Sequence, residues 1–203
     1  GLYLITQDTA GPNFDSFLMK DYMPDYRPIR KYMEDVNKSV TKQALIAAAE
    51  ATQRTRVIAP TLRFRADTDN ALRIAAGEAQ RPAAELQYQV DQIVKVLEQG
   101  QKSRDKLTEP RWRAAYDLAM GRAYALRARA VGYNIMLAQM KVNPKSFTKD
   151  GNNTWSLVAA ESIETGPGVK KDIKKATEYL SRVIDDHTGT PWEYLAAREI
   201  EQK

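Results

Sequence analysis

Apolar and polar positions follow a helical period through the middle of the chain. Between residues 110 and 142, apolar residues recur at alternating steps of four and three, the spacing of one helix face. Thr108, Glu109 and Pro110 form a typical helix start, and Asn143 and Pro144 end the pattern. The spacing predicts a helix of about 30 residues whose small residues let neighbours pack closely, crossing at about 20°. The apolar positions are Trp112, Tyr116, Ala119, Ala123, Leu126, Ala130, Tyr133, Leu137 and Met140.

A second stripe with the same period runs from Asp69 to Gln99, and Gly100 marks its end. Pro82 lies inside this stripe, where it removes a backbone donor and clashes with the preceding turn. Two interpretations follow: two separate helices, or one helix kinked at Pro82. The unbroken register favours the kink. The stripe consists of Leu72, Ala76, Ala79, Ala83, Leu86, Val90, Ile93 and Leu97.

Four shorter amphipathic segments complete a helical pattern. One covers Ile29 to Val36, and a second runs from a cap at Ser39 or Thr41 to about Arg54. Near the end, the turn at residues 188–190 joins two segments into a helical hairpin. We therefore predict an all-α fold of about six or seven helices over residues 29–203, either an antiparallel helical bundle or a short tetratricopeptide-like solenoid. The apolar positions of the hairpin are Ile173, Ala176, Leu180, Val183 and Ile184, followed by Trp192, Leu195, Ala196 and Ile200.

Residues 1–28 differ from the rest of the chain. Leu2 to Ile5 predicts a short buried strand, and Gly11-Pro12-Asn13 breaks it. The remainder is an irregular, extended connector, or the end of an upstream domain, rich in aromatic residues and interrupted by prolines. We expect its aromatic side chains to pack against a neighbour, which makes four of them candidate partner-binding residues: Phe14, Phe17, Tyr22 and Tyr26.

A basic cluster surrounds a second non-helical segment at residues 56–66. Leu62, Phe64 and Ala66 alternate there with arginines, which indicates a short strand or an extended crossing segment. The chain carries 31 basic and 26 acidic residues, a net charge of +5. Because the two signs are interleaved, we do not expect nucleic acid as the main partner, but a nucleic-acid or anionic-surface binder is the alternative function. Its candidate residues are Arg54, Arg56, Arg63 and Arg65.

The residues that usually carry catalysis are almost absent. The chain has no cysteine and one histidine, His187, which follows Asp185 and Asp186. We interpret this turn as a solvated helix end, where a charged imidazole suits the helix dipole. No phosphate loop is present, and no apolar run reaches the roughly 18 to 20 residues of a membrane span. We therefore expect a non-enzymatic protein with no metal site, no cofactor and a protein partner, whose oligomeric state stays open.

Three segments resemble parts of known families. The opening Gly1-Leu2-Tyr3-Leu4-Ile5 resembles the last strand of a von Willebrand factor type A domain, so we expect a fragment or processed product. Residues 109–122, EPRWRAAYDLAMGR, resemble a stretch found after such domains in bacterial proteins, notably from planctomycetes. Residues 179–196 are similar to a tetratricopeptide-type hairpin. The resemblance implies an interaction or assembly module of a longer adhesion-type protein, outside the cytoplasm. The family's Asp-x-Ser-x-Ser metal pattern is absent here, so no metal ligand is implied.

Overall fold

The structure, a computed structural model, describes residues 12–54, 58–149, 151–158 and 166–201. The predicted all-α class is confirmed: the described residues form an antiparallel helical bundle with one two-stranded sheet. The predicted strand at Leu2 to Ile5 lies outside the described residues. The elements in chain order are α1 (Ile29–Asn37), α2 (Val40–Arg54), β1 (Arg63–Arg65), α3 (Asp69–Gly100), α4 (Pro110–Val142), β2 (Thr154–Ser156), α5 (Pro167–Asp186) and α6 (Pro191–Glu201). Two 3-10 turns, Leu18–Tyr22 and Gln101–Lys106, accompany them.

The two long stripes form an antiparallel hairpin of α3 and α4. α3 is one helix of 32 residues that continues through Pro82, so the two-helix alternative is wrong. The stripe on either side of Pro82 packs along α4, and this burial outweighs the roughly 3 kcal/mol cost of an interior proline. Thr68 caps α3, since its hydroxyl accepts the Ala71 N–H at 3.1 Å. α4 has 33 residues and begins at Pro110, as predicted.

One half of this hairpin is enclosed by the other helices. α2 packs on the C-terminal half of α3, where the Thr41 hydroxyl donates to the Gly100 carbonyl at 2.8 Å. α5 lies against α4 so closely that a Cβ on Gly121 would be 2.6 Å from Leu180 Cγ. α6 returns along α5 and contacts α4 as well. The core of this half includes the fully buried Tyr116, whose hydroxyl donates to the Leu97 carbonyl.

The other half, residues 69–84 of α3 and 130–142 of α4, packs against the small sheet, and we call it, together with the sheet, the arm. β1 and β2 are antiparallel, with Phe64 paired to Trp155. The weak strand signal at residues 62–66 was therefore informative, but its pairing with residues 154–156 was not predicted. The arm has its own apolar cluster, separate from the rest of the core, made of Phe64, Leu72, Ala76, Ala79 and Leu137.

No helix in the described part of the chain is long and apolar enough to cross a membrane.

Candidate functional site

The connector crosses the end of the bundle opposite the arm. Its 3-10 turn, Leu18–Tyr22, lies against the start of α4 and the turn between α5 and α6. The Tyr22 ring is buried, and its centre lies 5.4 Å from the centre of the Trp192 ring. The Tyr22 hydroxyl is hydrogen-bonded to Nδ1 of His187 at 2.8 Å. The Arg111 guanidinium donates to the Tyr22 carbonyl at 3.0 Å. These contacts fix the connector to three helices.

His187 is not at a solvated helix end, so that interpretation is wrong. Its side chain is only 1% exposed because the connector covers it, and burial lowers its pKa. The backbone carbonyl of His187 also accepts the Thr190 hydroxyl at 2.6 Å. This burial could not be predicted from neighbouring residues, because the covering residue, Tyr22, lies 165 positions earlier in the chain. The buried neutral imidazole is a structural anchor for the connector.

A second anchor holds α1, which follows the connector. The Lys42 ammonium is buried between the carboxylates of Asp35 and Glu109, at 2.6 Å from each. It also lies 5.3 Å from the centre of the Trp112 ring, on which Tyr32 of α1 stacks. Burial would lower the pKa of Lys42, but the two hydrogen-bonded carboxylates outweigh it and raise the pKa. Lys42 therefore stays charged and ties α1 to the starts of α2 and α4.

This anchored segment, residues 12–38, carries six of the thirteen large apolar side chains that are exposed among the described residues. Phe17 is 75% exposed, Tyr26 78% and Ile29 73%. Single exposed apolar residues are ordinary, but a group of them marks a binding surface. Residues 12–38 also carry five acidic and five basic residues, so the segment is neutral. We call the exposed set the base surface: Phe17, Leu18, Met23, Tyr26, Ile29 and Met33.

The four aromatic candidates of the connector therefore separate. Phe17 and Tyr26 lie on the base surface, and Phe14 is half-buried. Tyr22 does not face a partner, because its side chain packs inside this chain's own core against Trp192 and His187. Sequence reasoning missed Ile29 and Met33, since apolar residues at helical spacing are usually placed in the core. It also missed Leu18 and Met23, because only the aromatic residues of the connector were candidates.

The basic candidates do not form one surface. Arg54 is exposed at the end of α2, and Arg56 lies outside the described residues. Arg63 and Arg65 alternate with the buried Phe64 on β1, so both lie on the outer sheet face, where Arg65 pairs with Asp67. Phe64 and its partner Trp155 belong to the inner cluster. Among the strand residues, the outer face thus offers charge but no aromatic ring for base stacking.

Most arginines of α4 form ion pairs with acidic residues of this chain. Arg127 binds Asp172 of α5, and Arg122 and Arg129 bind Glu199 of α6.

The groove between the Gln101–Lys106 turn and α5 has a volume of about 500 Å³ and a polar lining. Its charges are already paired, because the fully buried Asp117 accepts three hydrogen bonds from the Arg104 guanidinium. Burial raises the pKa of Asp117 against the opposing effect of Arg104. This arrangement suits a structural ion pair better than an acid–base site.

No group of three or more acidic or histidine side chains in the described residues is placed to hold a metal ion. No family model matches this chain, and neither a curated protein nor a solved structure is significantly similar to it.

Proposed function

We propose that this chain is a non-enzymatic protein-interaction or assembly module of a longer adhesion-type protein, and that the base surface is its contact face. The supporting observation is the group of exposed apolar side chains at residues 17–33. Burying Phe17, Tyr26 and Ile29 against a partner would contribute about 1.5–3 kcal/mol for each side chain. Such a contribution exceeds that of the surrounding surface ion pairs.

The anchoring of the connector favours the same function. A flexible segment must be ordered when it binds, which reduces affinity. Here the Tyr22–His187 hydrogen bond holds the connector, and the Lys42 ion pairs hold α1, before any partner arrives. The ordering cost is therefore already met by folding.

The expected partner is a protein domain with an apolar surface of its own. Because the base surface is neutral, charge cannot provide most of the attraction. Binding through it should then depend little on salt, in contrast to binding that neutralises phosphates.

Site-specific photo-crosslinking tests this function. A photoreactive side chain replaces Tyr26 or Ile29 in the full-length natural protein, and a matched probe replaces Glu178 on the exposed side of α5. We expect one dominant protein crosslinked from positions 26 and 29 and none from position 178. The purified partner should then bind Y26S and I29S chains about tenfold more weakly than the unmodified chain. Equal crosslinking from all three positions, or unchanged affinity of both variants, would contradict the proposal.

The second candidate is binding to an anionic surface through the arm. The arm carries five basic and two acidic residues, and Arg63 and Arg65 share one exposed face. Real phosphate contacts would weaken steeply as salt rises. Titration of the chain with duplex DNA and with anionic vesicles at two salt concentrations separates this function from the first.

A further inference from the structure

Among the described residues, the arm leaves a groove open between α3 and α4. Its volume is about 490 Å³. We call it the arm groove, and it is lined by Gly77, Gln80, Arg81, Ala84 and Gln87 of α3 and by Asn134 and Lys141 of α4.

On α4, the arm groove continues the helix face that binds the start of α5. On α4, Asn134 and Lys141 lie seven and fourteen residues after Arg127, so all three share one helix face. Arg127 binds Asp172 of α5, with nitrogen–oxygen distances of 2.6 and 2.7 Å. On α3, the groove positions continue at steps of three and four to Asp91 and Glu98. Asp91 contacts Arg127 of α4, and Glu98 contacts Lys175 of α5. α5 thus packs along the same face of α4, reaches α3 through the Lys175–Glu98 ion pair, and begins only at Pro167.

The floor of the arm groove permits close approach of a helix. A Cβ placed on Gly77 would meet only the Lys141 ammonium, at 3.8 Å, among the described atoms within 4 Å. Ala84, seven residues later, is exposed and adds only a methyl group. Small residues at this spacing let a neighbouring helix backbone pack at short distance.

The polar groups of the arm groove lack an acidic partner. The Lys141 ammonium donates to Gln80 Oε1 at 2.9 Å, and the Asn134 amide donates to Gln87 Oε1 at 2.7 Å. Asn134 Oδ1 is buried and accepts no hydrogen bond within the described residues. In the same part of the chain, neither Arg81 nor Lys141 forms an ion pair, whereas the equivalent cation beside α5, Arg127, binds Asp172. The arm groove therefore offers positive charge without an acid, whereas beside α5 the corresponding cation is paired with an acid of α5.

Exposed apolar side chains flank the charge on α3. Ile74 and Tyr88 are exposed and lie seven residues before and after Arg81, on the same helix face. An amphipathic helix in the groove could cover both of them while placing a carboxylate at Arg81. A second copy of this chain fits poorly, because two such grooves would bring the cations of Arg81 and Lys141 against each other.

We propose that the arm groove docks an amphipathic helix of a partner protein, with carboxylate side chains directed at Arg81 and Lys141. The docked helix lies end to end with α5. This site is separate from the base surface and would let the module hold two partners at once.

The test uses a labelled helical peptide of about 14 residues, roughly 21 Å long, with leucines on one face and glutamates beside them. A matched peptide carries lysine at each glutamate position. Fluorescence anisotropy measures the affinity of each for the whole chain. We expect the acidic peptide to bind at least about tenfold more tightly, and R81Q and K141Q each to weaken it about fivefold. The control R63Q removes one exposed charge from the outer sheet face and should change affinity less than about twofold.

Gly77→Leu provides an independent variant that fills the arm groove without removing charge. Its side chain has open space in the free protein, so the fold should be retained, as circular dichroism would verify. We expect G77L to abolish binding of the acidic peptide and leave partner binding at the base surface unchanged. Absence of acidic-peptide binding, equal loss in R63Q, or full binding by G77L would each overturn the proposal.

Discussion

The two ends of the α3–α4 hairpin are covered by different kinds of structure. At the base, a non-helical connector covers the helix ends, is anchored through Tyr22, and exposes neutral apolar side chains. In the arm, a two-stranded sheet covers one side of the hairpin, and the other side is left as a basic, polar groove. One hairpin therefore carries an exposed apolar segment at one end and a basic, polar groove at the other.

The largest expected effect of a substitution lies near the base. Asp117→Ala removes the fully buried carboxylate that binds Arg104 and leaves that guanidinium buried without its main partner. We expect the free energy of unfolding to fall by about 3–5 kcal/mol. Urea denaturation measures it. Gln80→Ala in the arm groove is the matched control, and we expect a loss below about 1.5 kcal/mol, since it deletes a half-exposed hydrogen-bonded side chain. Equal losses would mean that the arm is as tightly constrained as the base.

The next comparison lies within the connector. Tyr22→Ala empties a buried site beside Trp192 and should destabilise the protein by about 3 kcal/mol. Tyr26→Ala removes an exposed ring and should change stability by less than about 0.5 kcal/mol. Denaturation curves, with hydrogen exchange of the connector amides, report both. A large effect of Tyr26→Ala would show that its ring packs within the chain and would remove it from the base surface.

Two glycines on the long helices should respond in opposite directions. Gly121→Ala places a Cβ 2.6 Å from Leu180 Cγ and should cost about 1–3 kcal/mol, because α4 and α5 must move apart. Gly77→Ala has room in the arm groove and should stabilise α3 by about 0.5–1 kcal/mol. Thermal and urea denaturation of the two variants provide the measurement. Destabilisation by Gly77→Ala would indicate that the groove is closed in solution.

The smallest expected effect is the pH dependence of stability that comes from His187, the residue that anchors Tyr22 of the connector. Burial lowers the pKa of His187, Arg113 and Arg104 lower it further, and Asp186 opposes them. The folded protein then binds fewer protons than the unfolded chain, so the free energy of unfolding decreases as pH falls below about 6.5. We expect His187→Gln to be less pH-sensitive between pH values of about 5 and 7 in urea denaturation. Identical pH profiles would mean that the imidazole titrates as it does in the unfolded chain.

The regular parts of the fold were predictable and the surfaces were not. The stripes of α3 and α4 repeat for about 30 residues, so their period identifies the buried face. Tyr22 and Tyr26 lie in a segment without a period, and nothing in their neighbours distinguishes the buried ring from the exposed one. His187 was wrongly predicted to be solvated for a related reason, since the residue that buries it, Tyr22, lies far away in the sequence. The pairing of β1 with β2 joins three-residue strands about 90 positions apart, too short for a local signal.

The arm groove was missed because its residues looked like an ordinary polar helix face. Gln80, Arg81 and Gln87 lie off the apolar stripe, where solvent exposure is the usual expectation. Their relation to α5 appears only in the structure, where Arg127 of α4, on the same face as Asn134 and Lys141, binds Asp172 of α5.

Pro82 lies where α3 passes from the arm into the enclosed half of the bundle. The helix lacks one backbone hydrogen bond there, because proline has no N–H to donate. The arm also has its own apolar cluster around Leu72 and Leu137, separate from the clusters of the bundle. Opening the arm would therefore disrupt only that cluster, and the two parts should unfold as separate cooperative units, the arm first. In native-state hydrogen exchange, the amides of residues 69–81 would then exchange through a lower free energy than those of residues 86–100.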